Sequence, residues 1–273
     1  MAEVNEKEYT GSSASSIFGG PLSWVAAFGA LTAIGSIVPI IIYPLGGGYL
    51  SLSQLLLFPL AGYMLGPWAG LVACGIGASI GLFIAPAAYP LGVIDVLAYG
   101  AIFGLSYGLL SRRWRYLALI LWIASFPLIA VFPYRWPGAA AGFAPPASPA
   151  YLVSWSFYAF VFLIWAVWAF TPIHRWVRSD GKTVLRIAGF IIASLAGSGF
   201  PNGYGGVIYY FILKKPIEIA ILENWQSVPL YAAALIVGPV VFAVFQSLGR
   251  TGLRRVPGSL FEEIASGTSI DRK

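Results

Sequence analysis

Asp95 and Tyr99 stand four residues apart in the run LGVIDVLAYG, a spacing that puts a carboxylate and a phenol on one face of a helix. Such a pair can hold a flat polar solute, because the carboxylate accepts hydrogen bonds and the ring stacks. The same kinds of group recur at Tyr49 and Gln54, at Asn202, Tyr204, Tyr209 and Tyr210, and at Glu218, Glu223, Asn224 and Trp225. Asp95, Tyr99, Tyr49, Gln54, Asn202, Tyr209, Glu223 and Trp225 are therefore the candidate binding residues for a small heterocycle. The competing reading of the rings is an interfacial belt, where Trp and Tyr gather in any membrane protein. The competing reading of Asp95 is an ion pair with Lys214 or Lys215.

Covalent and redox chemistry has little to start from. Cys74 is the single cysteine and lies in an apolar run, which excludes an intrachain disulfide and a thiolate cluster. His174 is the single histidine, set in the basic stretch HRWVRSDGK, and reads as an interfacial residue. There is no G-x-x-x-x-G-K-[ST] sequence, so the chain binds no ATP through a P-loop of its own. Gly203–Tyr204–Gly205 is too short to argue for a potassium filter, which needs a preceding pore helix. No catalytic residue, metal or cofactor is expected, and the chain does not read as an enzyme.

The elements that must position the candidates are membrane spans. The 273 residues are 59% hydrophobic and 10% charged, with mean hydropathy +0.81, against about 25% charged in soluble domains. The apolar runs are continuous rather than alternating, which predicts an all-α integral membrane bundle rather than a barrel. Eight segments emerge, at about 22–43, 52–65, 68–85, 91–110, 116–133, 151–172, 185–200 and 227–248. Residues 1–20 and 257–273 read as polar tails around one transmembrane domain, 21–256.

Charge sets the orientation, since Lys and Arg collect on the cytoplasmic side of short loops. With eight crossings and the N-terminus inside, the inner side holds Lys7, Arg112, Arg113, Arg115, Arg175, Arg178, Lys182, Arg186, Arg250, Arg254, Arg255, Arg272 and Lys273. The outer side holds Arg135, Lys214 and Lys215. Both termini are thus expected in the cytoplasm, and the net charge of +6 is accounted for by inner-leaflet positives without nucleic acid. The stretch 203–222 carries Lys214, Lys215, Pro216 and Glu218, and a buried charge costs about 2.5–3.5 kcal/mol on insertion scales. It is expected to be a re-entrant turn or an interfacial helix on the outer face.

Segment 52–65 is too short, at roughly 21 Å of helix, to cross about 30 Å of hydrocarbon unaided. The glycines 46–48 permit an irregular loop at its outer end, and irregular backbone at membrane depth survives only against protein or a cavity. An outward-facing cavity roofed by residues 44–51 is expected, with Leu65–Gly66–Pro67 making a tight inner turn. Small residues recur every four positions at Gly66, Gly70, Cys74 and Ala78, at Ala73, Gly77 and Gly81, and at Gly100, Gly104 and Gly108. These are close-packing stripes. On the first helix, Ala26–Ala30 and Gly29–Ala33 make two further pairs, one of which could face another subunit.

The passage YPLGGGYLSLSQLLLFPLAGYMLGPWAGLVACGIGASIGL resembles the first half of a substrate-binding S component of energy-coupling factor transporters. Gly62, Gly66, Pro67 and Gly70 occupy the places of that family's G-x-x-x-G-P-x-x-G motif. WQSVPLYAAALIVGPVVFAVFQSLGRTGL is similar to the last helix of many members. The resemblance implies a prokaryotic cell-membrane protein that captures a vitamin-like solute from the outer side. It further implies docking, through Ala26 and Ala30, onto a transmembrane coupling protein driven by two ATPases. S components commonly have six helices; here the six would be about 22–110 and 185–250, with an added pair at about 116–172. The alternative, from a different class, is a structural or accessory subunit of a larger membrane assembly with no transport ligand.

Overall fold

The computed structural model describes residues 15–43, 47–131, 149–179, 182–213, 228–248 and 255–264, with backbone alone at 122, 125–131, 149–158, 161, 200–213 and 228–230. The structure is mostly helical: α1 (Leu22–Gly35), α2 (Ser53–Ile84), α3 (Val93–Gly108), α4 (Arg115–Val131), α5 (Pro149–Phe170), α6 (Thr183–Leu213) and α7 (Val228–Leu248). Two small antiparallel pairs accompany them, β1 (Ser16–Ile17) with β2 (Gly20–Pro21), and β3 (Pro39–Ile42) with β4 (Tyr49–Ser51). Ser53–Ile84 and Tyr231–Leu248 are long and apolar enough to cross a bilayer by length and composition.

The first of these is not one rod. Gly66 has φ 75° and ψ −176°, a conformation open essentially only to glycine, and Pro67 follows at the first position of the next helix, where its missing N–H costs nothing. The chain reverses there. A Cβ on Gly70 would lie 3.0 Å from Gly62 Cα, and Cys74 Sγ sits 3.9 Å from the Phe58 carbonyl, so the legs 53–65 and 67–84 form an antiparallel hairpin. The tight turn expected at Leu65–Gly66–Pro67 is present. Counted by legs, the described residues contain eight long helical segments.

The small-residue stripes each have a partner. On leg 67–84, the row Gly70, Cys74, Ala78 meets α3: a Cβ on Gly70 would fall 3.1 Å from Gly104 O, one on Gly104 would fall 2.7 Å from Cys74 Sγ, and Gly100 faces Ala78. The second row faces α1: a Cβ on Gly77 would fall 2.7 Å from Gly29 O, and one on Gly81 would fall 2.8 Å from Ser36 Oγ. Leg 67–84 is therefore the central post, with a backbone-close neighbour on each of two faces. The pairs on α1 separate accordingly. Gly29 and Ala33 are buried against this post, whereas Ala26 and Ala30, on the adjoining stripe, are exposed.

Three boundaries depart from the sequence expectation. The first helix stops at Gly35 rather than near 43, because Gly35, Ser36 and Pro39 break it and the β-branched run Ile40–Ile42 extends as β3. The re-entrant or interfacial segment at 203–222 is corrected in its first half, since α6 runs unbroken to Leu213. Gly203, Gly205 and Gly206 cost about 1 kcal/mol each in a helix, which does not stop the apolar run that follows them. The charged half, Lys214 to Leu222, lies outside the described residues. Residues 257–264 were expected in a polar tail, yet Leu260, Phe261 and Ile264 are buried. Phe261 packs 5.2 Å from the Phe245 ring, so 255–264 is a strap across the end of the bundle.

The added pair is not a peripheral decoration. Trp165 and Trp168 of α5 are fully buried in the main core, and Trp168 Nε1 donates to the Leu110 carbonyl at 2.9 Å. At the heart of that core, Tyr63 meets Tyr107, Phe190 and Phe245 edge-on at 5.2, 6.3 and 6.1 Å. Ser106 Oγ donates to Gly197 O and Tyr107 OH to Ser194 O, at 2.6 and 3.2 Å, which ties α3 to α6.

Candidate functional site

The chain reversals gather at two ends. One collects β1–β2, Gly66, residues 109–114, the 3₁₀ turn Pro172–Arg178 and the strap 255–264. The other collects the β3–β4 hairpin, residues 85–92 and the starts of α2 and α3. Tyr49, Gln54, Asp95 and Tyr99 all belong to this second end, so the structure brings together four candidates that are up to 50 residues apart in the chain.

Both helices that enter this end begin irregularly. Ser53–Leu57 and Val96–Ala101 are π-helical turns. Each has one extra residue per turn relative to the α-helix, and such turns occur often at functional sites. Gln54 lies inside the first, Tyr99 inside the second, and Asp95 directly before it. The hairpin roofs the pair: Gly48 has φ 86°, and a Cβ there would fall 2.6 Å from Ala87 O, so only glycine lets this strand lie on the 85–92 loop.

Beneath the hairpin runs a buried chain of polar groups. Tyr49 OH donates to Ser36 O at 2.9 Å, and Ser36 Oγ shares a 2.8 Å hydrogen bond with Tyr89 OH. Ser36 Oγ also donates to Thr32 O, at 2.9 Å, and Ser53 Oγ donates to the same carbonyl. Gln54 Oε1 accepts from Ser51 N at 3.0 Å, and its Nε2 donates to Ala88 O at 3.4 Å. Asp95 is 2% exposed, and its Oδ2 accepts from Leu91 N at 2.6 Å, fastening the loop to the start of α3. Burial raises Tyr49 above its usual phenol range and pushes Tyr89 up to about 12, so both remain protonated donors at neutral pH.

Tyr99 is half-buried, with its ring 6.1 Å from Phe103. Asn202 and Tyr209 lie on α6, with side chains outside the described residues. Glu223 and Trp225, with Glu218 and Asn224, lie outside them altogether, as do Lys214 and Lys215. The sequence reading missed Ser36, Ser51, Ser53, Thr32 and Tyr89, all buried. Their types gave no signal, because a hydroxyl in an apolar run is as ordinary as an alanine.

The arrangement offers hydroxyls, one amide, one carboxylate and aromatic faces, with no nucleophile–base pair among the described residues. Comparison with protein-family models, curated proteins and solved structures finds no match for the chain.

Proposed function

We propose that the chain is a multi-pass membrane protein of eight spans with both termini cytoplasmic, and that it captures a small solute from the outer face as the binding subunit of an ATP-driven micronutrient importer. The observation that carries this reading is the pairing of two π-helical turns, with Gln54, Asp95 and Tyr99 in or beside them, under a glycine-hinged hairpin. Irregular helix starts are costly in hydrocarbon and are retained where they line a site. A membrane setting is supported by the large apolar side chains on the outside of the bundle, among them Ile34, Ile80, Phe83, Leu235 and Ile236. Large exposed apolar surfaces mark membrane or partner contacts. Ala26 and Ala30, exposed on α1, are the surface on which a transmembrane coupling protein would dock, with two ATPases behind it.

One observation favours a second reading. The polar groups under the hairpin hydrogen-bond to one another and to backbone, which is also how a closed structural cap of an accessory subunit would look. Profiling the small molecules released on denaturing the purified protein separates the two. The importer reading expects a compound retained by wild type and depleted in Asp95→Asn and Trp225→Ala, the former keeping an acceptor for Leu91 N–H. Equal, ligand-free profiles in all three preparations would leave the accessory role standing.

A further inference from the structure

The opposite end of the bundle holds a cluster that solute capture does not use. Arg112 and Arg115 flank the start of α4, and Arg175 and Arg178 come from the 3₁₀ turn. These four lie within electrostatic reach of one another or of His174, which sits between them. Arg113 is beside them, its guanidinium 5.0 Å above the Trp114 ring. Two carboxylates from the strap face these five guanidiniums. Glu263 accepts from Arg112 N at 2.7 Å and lies 3.6 Å from Arg178 Nη1, while Glu262 accepts from Gly258 N at 2.6 Å. The balance is strongly positive.

Excess positive charge alone would describe any inner-leaflet loop. The distinguishing feature is a set of buried donors with nothing to bind. Ser111 is 0% exposed, and its Oγ has no hydrogen-bond partner. Arg115 Nε and Nη1 are buried without a hydrogen-bond partner, while its Nη2 donates to Tyr116 OH at 2.8 Å and its guanidinium lies 4.6 Å from that ring's centroid. Ser111 O accepts from Arg115 N at 3.0 Å, so the two side chains sit one helical turn apart on one face. Buried donors left without acceptors signal a missing water or ion. A guanidinium N–H and a buried hydroxyl one turn apart can each donate to an oxygen of one phosphate.

We infer that Ser111 and Arg115, ringed by Arg112, Arg175 and Arg178, form a phosphate-binding site beneath the C-terminal strap. The ligand is a phosphate group, carried by an anionic lipid headgroup of the adjoining leaflet or by a soluble phosphate. His174 Nδ1 donates to the Thr171 carbonyl at 2.6 Å, which fixes the ring and the turn that presents Arg175 and Arg178. Glu263, reaching in from the strap, takes the Arg112 backbone N–H and pairs with the Arg178 guanidinium, and leaves Ser111 and Arg115 to the ligand. The site stands independently of the importer reading, because no residue of the solute end enters it.

Thermal unfolding of the full chain in lipid nanodiscs tests this. Three preparations are compared: the phosphate-free lipid digalactosyldiacylglycerol alone, an equimolar mixture with phosphatidylglycerol, and digalactosyldiacylglycerol with added inorganic phosphate. A rise in the unfolding temperature with phosphatidylglycerol alone identifies the headgroup as the source; a rise with inorganic phosphate identifies the soluble ion. In either case Ser111→Ala and Arg115→Lys weaken the half-saturating concentration about tenfold. Ser111→Ala removes a buried hydroxyl that has no protein partner, so its stability in digalactosyldiacylglycerol alone is at or above the wild-type value. No rise in either arm overturns the site. A rise that persists undiminished in both variants also overturns it, since generic surface charge would then be responsible.

Discussion

Adding one methyl group at Gly104 should unfasten the centre of the bundle, while the same change at Gly75 should tighten it. A Cβ on Gly104 would fall 2.6 Å from the Gly70 carbonyl carbon and 2.7 Å from Cys74 Sγ, and would press on Gly70 O. Carbon contacts are optimal at about 3.5–4.0 Å, so α3 and leg 67–84 must part by roughly 1 Å. The obstacle is backbone and has no rotamer into which to retreat. Overpacking of this kind costs about 1–3 kcal/mol and sometimes more, and parting also loosens the neighbouring contacts at Gly100 and Gly108. Alanine returns about 1 kcal/mol of helix propensity, and with the obstacle being backbone the cost falls at the top of that range, leaving Gly104→Ala up to roughly 2 kcal/mol destabilised. At Gly75 the nearest atom is Ala101 Cβ at 3.5 Å, an ordinary contact, so Gly75→Ala keeps most of the propensity gain. At roughly 2–4 °C per kcal/mol for chains near this size, the two variants should differ in Tm by on the order of 10 °C. Cys74 reports the event directly, being fully buried at this interface and the single thiol in the chain. A thiol-reactive fluorophore added during heating therefore reads its exposure. Equal midpoints for the two variants would refute the packing scheme.

Other consequences follow from the same geometry. Gly66→Ala should lose about 1–3 kcal/mol from backbone strain at φ 75°, although the nearest atom to the new methyl is 3.9 Å away; the thiol assay distinguishes this from an open-space gain like that at Gly75. Ala30→Leu, on the exposed face of α1, should leave the unfolding midpoint unchanged but abolish co-purification of a coupling partner, whereas Gly29→Leu should lower the midpoint because Ile76 Cγ2 lies only 3.2 Å from the new Cβ. Trp168→Phe removes the donor to Leu110 O and should cost about 1–3 kcal/mol by leaving a buried carbonyl unmatched, measurable as a lowered midpoint. His174 is held below its ordinary 6.5 by burial and by Arg115, Arg178 and Arg175, with the bond to the Thr171 carbonyl acting the other way. Its neutral form is the one the fold favours, so the contribution is complete above about pH 6.5 and is lost as pH falls through the depressed value. Wild type should thus lose stability between about pH 7 and pH 5 relative to His174→Gln. Glu263, raised by burial, titrates in the opposite sense in both proteins and cancels in that difference.

Much of the scaffold was legible because glycine and proline act locally. Gly66–Pro67 dictated a reversal, and four-residue spacing of small side chains marked the faces that meet. The β-hairpin was legible only as an irregular loop, since the break at Gly35–Ser36 competes with an apolar run, Ile37–Ile42, that reads equally as helix. Length and hydropathy could not separate these, and Pro39 with its β-branched neighbours decided for a strand. The folded strap was missed because Leu260, Phe261 and Ile264 are diluted among charges, and the strap's place is set by tertiary partners such as Phe245 for Phe261 and the Arg112 N–H for Glu263. Of the candidate site, the carboxylate and amide could be named in advance. The hydroxyl chain from Thr32 through Ser36 to Tyr89 could not, because a buried hydroxyl and an idle one look alike until the backbone acceptor is in view.

The central claim, that the hairpin-roofed end holds a solute, is tested most directly by native mass spectrometry of the full chain extracted in mild detergent from its own membrane. The account predicts one adduct of small-molecule mass on the wild-type chain, absent from Asp95→Asn, together with assemblies containing a membrane coupling protein and two ATPases. A bare chain, with neither adduct nor those partners and indistinguishable from Asp95→Asn, would contradict it.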